Sequence, residues 1–169
     1  MKKILLISDT HSYLEQKLVK HIKEADEVWH AGDIGSIDLS LEIEKLKPFK
    51  AVHGNIDDNN IRITYPENLF FNCENLPVFI THIGGYPGKY PTKIKELIKE
   101  NKPKLFICGH SHILKVMYDK DLEHLHINPG ACGVHGFHKV KTAVRFEIEG
   151  TEIKNLAVIE LGNRTSLEL

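Results

Sequence analysis

The sequence has little cysteine, no long hydrophobic run and no excess of charge of one sign. Its three cysteines, Cys73, Cys108 and Cys132, are an odd number without C-x-x-C spacing, which argues against a disulfide framework or a dithiol redox motif. The 22 basic and 23 acidic residues give a formal net charge of -1, so no overall basic field favours nucleic acid or an anionic membrane. Lysine and arginine form no helical stripe with interleaved aromatic residues, and the sequence therefore gives no strong signal for a nucleic-acid groove.

The apolar run near the N-terminus, KILLIS, is too short for a signal peptide or a membrane span. It contains only five apolar or small residues between the second lysine and Asp9. A length of 169 residues with 41% hydrophobic residues fits one compact domain with a sizeable core. We therefore expect one soluble domain over residues 1–169 in a reducing, cytoplasmic compartment, with no membrane partner. The sequence leaves open whether the protein forms a homo-oligomer.

Strand and helix patterns alternate along the first third of the chain. Three short apolar segments are typical of buried strands: KILLIS, EVWHAGD and KAVHG. Helix patterns at about 13–25 and at 36–47 separate them. This alternation favours a parallel sheet with crossover helices.

The middle of the chain has a different pattern. Residues 62–82 hold three short β-rich runs broken by Pro66, Asn75 and Pro77, which indicates antiparallel pairing. A helix pattern at 91–101 and a strand ending in CGH follow, and then several strands joined by turns. We predict an α/β (α+β) fold in which two mixed sheets pack together with helices outside.

Polar side chains follow the ends of five predicted strands. All of them are oxygen or nitrogen donors, and none is a cysteine: Asp9, His11, Asp33, Asn55, His82, His110 and His112. Because ligands of open α/β sheets bind outside the carboxyl ends of the strands, we expect these seven groups to meet.

A metal centre is the natural use of such a set. Two aspartates in a partly dry cleft are costly unless cations neutralise their charge. Seven donors exceed what one tetrahedral ion accepts, whereas two ions that share one carboxylate would use them all. Oxygen and imidazole ligands suit Mn, Fe, Co, Ni or Zn.

Five ordered motifs resemble those of the calcineurin-like metallophosphoesterase superfamily. They are Asp9-Thr10-His11, Gly32-Asp33, Gly54-Asn55, His82 and Gly109-His110-Ser111-His112. The small size of the chain and its segments HAGD, GNID and INPGA resemble those of the compact bacterial and archaeal phosphodiesterase subfamily.

The resemblance implies a four-layer αββα sandwich and two divalent metal ions. It implies that Asp9, His11 and His112 hold one ion, that Asn55, His82 and His110 hold the other, and that Asp33 bridges both. It further implies hydrolysis of a small phosphoester by a hydroxide held between the ions, with Asp33, Asn55 and His82 acting through that hydroxide and through phosphate positioning. A phosphomonoesterase or nucleotidase with the same site, and a non-catalytic scaffold similar to the retromer subunit of this fold, are the alternatives.

One position departs from the family pattern. Many relatives carry a histidine after the Gly-Asn pair, which serves as general acid or stabilises the transition state, whereas this chain has Ile56. Asp57 is a candidate for a supporting role or for a helix cap. We expect that the missing histidine affects the choice of substrate more than it affects activity.

Other polar residues carry two interpretations each. His30 and His53 precede site glycines and either orient a ligand or are ordinary satisfied histidines. In the glycine-rich loop NPGACGVHGFHK, His135 and His138 either reach substrate or belong to a structural turn. The HLH pair, His124 and His126, is predicted to lie in a strand without a site role, and Cys108 to be a core residue.

Overall fold

The computed structural model describes residues 1–165, which form two five-stranded sheets and four helices. The strands are β1 (Lys2–Ile7), β2 (Glu27–His30), β3 (Phe49–Ala51), β4 (Asn68–Cys73), β5 (Leu76–Thr81), β6 (Leu105–Ile107), β7 (Lys115–Asp119), β8 (His124–Asn128), β9 (Val140–Glu149) and β10 (Glu152–Asn163). The helices are α1 (Gln16–Glu24), α2 (Ile37–Leu46), α3 (Asn59–Thr64) and α4 (Thr92–Asn101).

Both sheets are mixed. In the first, of order β10-β9-β1-β2-β3, strands β1, β2 and β3 run parallel, and β9 and β10 add antiparallel strands beside β1. In the second, of order β4-β5-β6-β8-β7, strands β5, β6 and β8 are parallel and each edge strand is antiparallel to its neighbour. The parallel strands predicted from the first third of the chain are confirmed.

The continuous apolar run of β1 is explained by burial on both of its faces. Ile4 and Leu6 point between the two sheets, whereas Leu5 and Ile7 pack against the outer helices α1 and α2. Successive strand residues face opposite sides, so a strand covered on both sides needs apolar residues throughout. Each such buried side chain contributes about 1.5–3 kcal/mol to folding.

The second sheet is covered on its outer face by α4. Phe79 and Phe106 of this sheet pack against Ile94 and Ile98 of the helix. The order of layers is therefore helices, sheet, sheet, helix, and the predicted αββα sandwich is confirmed.

The prediction for the start of the 62–82 segment was wrong. Residues 62–65 belong to α3 and its C-terminal cap rather than to a strand, because Asp58 accepts a hydrogen bond from the amide of Ile61 and begins a helix there. Ile61 and Tyr65 lie four positions apart and are both buried, as on one helix face, while Ile63 is 85% exposed.

Two boundaries also differ from the predictions. Pro77 lies inside β5 rather than breaking it, at the second residue of the strand and before the pairing with β6 begins. Helix α1 begins at Gln16 instead of near residue 13, because the buried carboxylate of Glu15 caps it and also pairs with Lys141.

No helix within residues 1–165 is long and apolar enough to cross a membrane. All three cysteines are buried and unpaired.

Candidate metal centre

The loops after five strands bring the seven predicted donors together at one edge of the sandwich. Asp9 and His11 follow β1, Asp33 follows β2, Asn55 follows β3, His82 follows β5, and His110 and His112 follow β6. Strands β1 to β3 are parallel in one sheet and β5 and β6 in the other, so their carboxyl ends deliver these side chains to one place.

The first group of donors consists of Asp9, His11 and His112. Their ligand atoms all lie within 4.8 Å of one another, and His112 Nε2 is 3.2 Å from Asp9 Oδ1. The other carboxylate oxygen of Asp9 accepts hydrogen bonds from the Ser8 hydroxyl at 2.6 Å and from the amide of His110 at 3.2 Å. One oxygen of Asp9 is therefore held by the protein, and the other faces the imidazoles.

The second group consists of Asp33, His82 and His110, with ligand atoms again within 4.8 Å of one another. The amide oxygen of Asn55 lies 3.1 Å from His82 Nε2 and 3.0 Å from His110 Nδ1, which makes it a fourth donor. The Nδ1–H of His82 donates to the carbonyl of Ala31 at 2.7 Å, so its Nε2 lone pair faces the group.

Asp33 lies between the two groups. Its Oδ2 is 3.2 Å from His82 Nε2 and 3.5 Å from His11 Nε2, one imidazole from each group. Its Oδ1 accepts a hydrogen bond from the amide of Ile56 at 3.1 Å. A carboxylate in this position could serve both groups as a shared ligand.

Two donor atoms lack the partners that burial normally requires. Asp9 Oδ1 and His11 Nε2 are buried, and neither forms a hydrogen bond of good geometry within residues 1–165: each faces another group of the site, His112 Nε2 at 3.2 Å and Asp33 Oδ2 at 3.5 Å. Burial of a carboxylate oxygen that receives no hydrogen bond is costly in free energy, and a cation between that oxygen and the imidazoles would remove the cost. The donors are oxygen and nitrogen atoms, which fits divalent metals of the first transition row.

The electrostatics keep both carboxylates ionised. Burial by itself would raise the pKa of Asp33, but the close imidazoles of His11 and His82 outweigh burial and hold that pKa well below its usual value. Burial likewise opposes ionisation of Asp9, yet His112, His82 and Ser8 lower its pKa. The protein thus presents two negative charges among neutral or positive rings.

The backbone of the site is strained. Five of the seven donors have left-handed backbone conformations, with φ of 54° at Asp9, 45° at His11, 57° at Asp33, 70° at His110 and 60° at His112. Such a conformation costs a residue other than glycine on the order of 1–3 kcal/mol and clusters at functional sites.

Asp57 joins the loops that carry Asp33 and Asn55. Its buried carboxylate accepts hydrogen bonds from the amides of Ile34, Gly35 and Gly54, at 3.2, 2.8 and 2.8 Å. Gly54 also lets the loop of Asp33 pack against it, because a Cβ there would lie 2.0 Å from Asp33 Oδ1. Asp57 thus supports the site rather than capping a helix, since Asp58 is the cap of α3.

Sequence reasoning missed two residues that also hold the donor loops. The side-chain NH₂ of Asn128 donates to the carbonyl of Gly109 at 3.0 Å and to the Ser111 hydroxyl at 3.1 Å, between the histidines of the GHSH motif. Asn128 ends β8, so its position at a strand end was the available signal. Arg62 donates to the carbonyls of Gly54, Asn55 and Asp57, and the incorrect strand prediction for its segment concealed it.

The rings of His30 and His53 form hydrogen bonds with other groups rather than with the donor side chains. His30 is fully buried, accepts from the amide of Gly32 at 3.0 Å and lies 2.9 Å from the Thr10 hydroxyl, and burial lowers its pKa to about 4. His53 lies 2.9 Å from the carbonyl of Tyr65 through Nδ1.

His124 and His126 lie in β8, outside both donor groups, as predicted. Both rings are fully buried, and the Tyr90 hydroxyl lies 2.9 Å from a nitrogen of each. Cys108 is a buried core residue, and burial raises the pKa of its thiol to about 12. By contrast, His135 stacks on His11 with ring centroids 4.7 Å apart, so its loop reaches the site.

Comparison with known proteins agrees with this geometry. The family model of the calcineurin-like phosphoesterase superfamily domain matches residues 1–151. A probable metallophosphoesterase of Methanothermobacter thermautotrophicus is 30% identical over 133 residues, which cover 75% of this chain and 74% of that protein.

Solved structures share the fold. An archaeal phosphodiesterase is 25% identical with a TM-score of 0.72, and the match covers 93% of this chain and 99% of that one. Vps29 of Entamoeba histolytica, solved with zinc, has a TM-score of 0.71 over 95% of this chain and 99% of that one, but at 14% identity it shows the fold alone. The family model and the Methanothermobacter relative show that the chain belongs to the calcineurin-like phosphoesterase superfamily, a family of metal-dependent phosphoester hydrolases.

Proposed function

We propose that the protein is a binuclear metal-dependent phosphodiesterase that hydrolyses a small phosphoester. The observation that carries the proposal is the pair of donor groups with Asp33 between them. In this proposal, Asp9, His11 and His112 would hold one ion, Asn55, His82 and His110 would hold the other, and Asp33 would be shared by both. Two divalent ions in such a site supply an activated water and stabilise the charge that develops on the phosphoryl oxygens.

The residues divide into a buried floor and an exposed mouth. Asp9 and His82 are buried, whereas Asn55 and His110 are exposed and would meet the incoming phosphate. In hydrolysis, a water oxygen bonds to phosphorus, the ester P–O bond breaks, and a proton ends on the leaving oxygen. Asp33, Asn55 and His82 would hold the charge and the phosphate in position for this displacement.

The choice of a diester rests on one comparison: the archaeal structure that shares 25% identity over nearly the whole chain is a phosphodiesterase. Ile56, which stands where many relatives have a catalytic histidine, does not by itself separate a diester from a monoester. A phosphomonoesterase with the same donors remains the second candidate, and both esters belong in the same assay.

We expect hydrolysis of bis(4-nitrophenyl) phosphate to disappear on chelation and to return when a divalent metal is added. The two carboxylates and the imidazoles bind through deprotonated atoms, so metal removal leaves the donors without their charge partner. The measurement is the release of 4-nitrophenolate after chelation, followed by addition of Mn, Fe, Co, Ni or Zn in turn. The monoester 4-nitrophenyl phosphate in parallel separates the diesterase from the monoesterase.

A folded, metal-loaded protein that hydrolyses neither ester would contradict the proposal and favour the scaffold alternative. The likeness to Vps29 is compatible with that alternative but does not favour it, because this chain has an Asp, His or Asn side chain at all seven predicted donor positions.

Replacing Asp57 by alanine should weaken metal binding about 10–100-fold, although Asp57 is not in either donor group. Three backbone amides would lose their acceptor, at about 1–3 kcal/mol for each buried group, and the loops that carry Asp33 and Asn55 would separate. Metal titration by calorimetry checks this result. Asp58→Ala is the matched control, since it removes only the cap of α3. Wild-type metal affinity in Asp57→Ala would contradict the role.

A further inference from the structure

A cavity of about 450 Å³ opens above the two donor groups. Its lining includes the donors His11, Asp33 and His110. Its wall includes three apolar side chains that the fold leaves in solvent: Ile56 is 46% exposed, Ile113 is 58% exposed and Phe137 is 101% exposed.

These three apolar residues, which we call the apolar rim, come from separate loops. Ile56 follows Asn55, Ile113 follows His112, and Phe137 lies in the loop between β8 and β9. Burial of a side chain as large as phenylalanine is worth about 1.5–3 kcal/mol, and that gain is forgone while Phe137 lies in water. Single exposed apolar residues are ordinary, but three of them around the mouth of one polar cavity indicate a binding surface.

The loop that carries Phe137 is anchored onto the donors. Gly136 packs against His112 so closely that a Cβ would lie 2.3 Å from its Nδ1, and with φ of +127° only glycine is unstrained there. Arg164 donates to the carbonyls of His138 at 2.8 Å and of Val134 at 3.4 Å. The base of the loop is therefore fixed while its phenyl ring projects freely.

The charges of the cavity also restrict what enters it. None of the described residues that line it is a lysine or an arginine. Arg62 and Lys93 line a separate cavity of about 210 Å³, which shares only Asn55 with this one. Beyond the phosphate that the donor groups would hold, the apolar rim offers nothing to a second anionic group.

We propose that the apolar rim binds a planar aromatic group on one ester arm of a monoanionic phosphodiester, with Phe137 as a specificity-determining residue. The inference rests on the proposed function and narrows its substrate class to diesters that carry a ring of nucleobase or aryl type. The ring would stack on Phe137, while Ile56 and Ile113 supply apolar contacts. Nucleoside polyphosphates and small alkyl diesters would bind less well, because the first bring uncompensated charge and the second lack a ring.

The test compares equilibrium binding of diphenyl phosphate and dimethyl phosphate to the metal-loaded protein. We expect the wild type to prefer diphenyl phosphate, and Phe137→Ala to reduce that preference roughly two- to tenfold, the size of an aromatic pair interaction. Phe137→Trp should retain the preference because it keeps a ring. Ile63→Ala is the matched control, since Ile63 is 85% exposed but does not line the cavity.

Hydrolysis of bis(4-nitrophenyl) phosphate, measured on the same samples, separates failure of the inference from failure of the proposed function. An unchanged preference in Phe137→Ala overturns the inference, and if the wild type still hydrolyses the diester the proposed function stands. A wild type that binds neither ester overturns the inference whether or not it hydrolyses the assay substrate. Loss of the preference in Phe137→Ala, with retention in Phe137→Trp and Ile63→Ala, supports it.

Discussion

Asp33→Asn should lower kcat/KM for bis(4-nitrophenyl) phosphate by more than about 100-fold and remove much of the bound metal. Loss of a group that only supports a metal ligand typically costs 10–100-fold, and Asp33 is proposed to contact both ions directly. The amide has nearly the same shape but no charge, so both proposed sites lose attraction for their cation. Activity and metal content per folded protein are the two measurements.

His82→Ala should have a comparable effect, because His82 Nε2 faces Asp33, Asn55 and Asp9 at 3.2, 3.1 and 3.8 Å. Asp38→Asn and His21→Ala are the matched controls. Asp38 is exposed in the first turn of α2, and His21 lies in α1 outside both donor groups. If metal content and activity fell equally in the controls, the donor assignment would be wrong.

His124→Ala and His126→Ala should act differently from Asp33→Asn. Each removes a fully buried ring and a partner of the Tyr90 hydroxyl, so we expect a lower free energy of unfolding. Metal content per folded protein should remain that of the wild type. Loss of metal from the folded fraction of either variant would show that the HLH pair belongs to the site.

The absence of a histidine at position 56 should make the natural enzyme depend steeply on its leaving group. Without an acid to protonate the departing oxygen, the transition state places more negative charge on that atom. Aryl esters of acidic phenols should therefore react much faster than alkyl esters. A plot of log kcat/KM against leaving-group pKa, with chemistry shown to limit the rate, measures this dependence.

Ile56→His should flatten that plot, with a gain for poor leaving groups of up to about 10²–10⁴-fold, the usual contribution of a positioned acid. The position accepts the change, because the side chain is 46% exposed and its contact with Asp33 is through the backbone amide. Ile56→Leu is the matched control and should keep the wild-type slope.

A flat plot for the wild-type protein would show that another residue already supplies the proton. Asp57 is not the first candidate for that residue, because its carboxylate already accepts hydrogen bonds from three backbone amides. His135, stacked on His11, and His138, edge-on to His112 with ring centroids 5.2 Å apart, would then be the residues to replace.

The sequence by itself determined the layers and the membership of the donor set. The part of a strand that is covered on both faces favours apolar residues, as in residues 4–7 of β1, so the strand positions and the polar residues after them are visible in the order of the residues. Parallel strands bring their carboxyl ends to one edge, so the gathering of Asp9, Asp33 and Asn55 followed from the alternation of strand and helix.

Only the tertiary structure decided how those donors are held. The amide of His110 bonds to Asp9 across 101 positions of the chain, and Asp57 and Asn128 fasten loops with hydrogen bonds that no local pattern encodes. The left-handed backbone at donors such as Asp33 is locally unfavourable and persists only because surrounding contacts outweigh its cost. Tertiary packing also replaced a predicted strand by α3: Asp58 begins the helix, and the burial of Ile61 and Tyr65 on one helix face overrides a local alternation of apolar and polar residues.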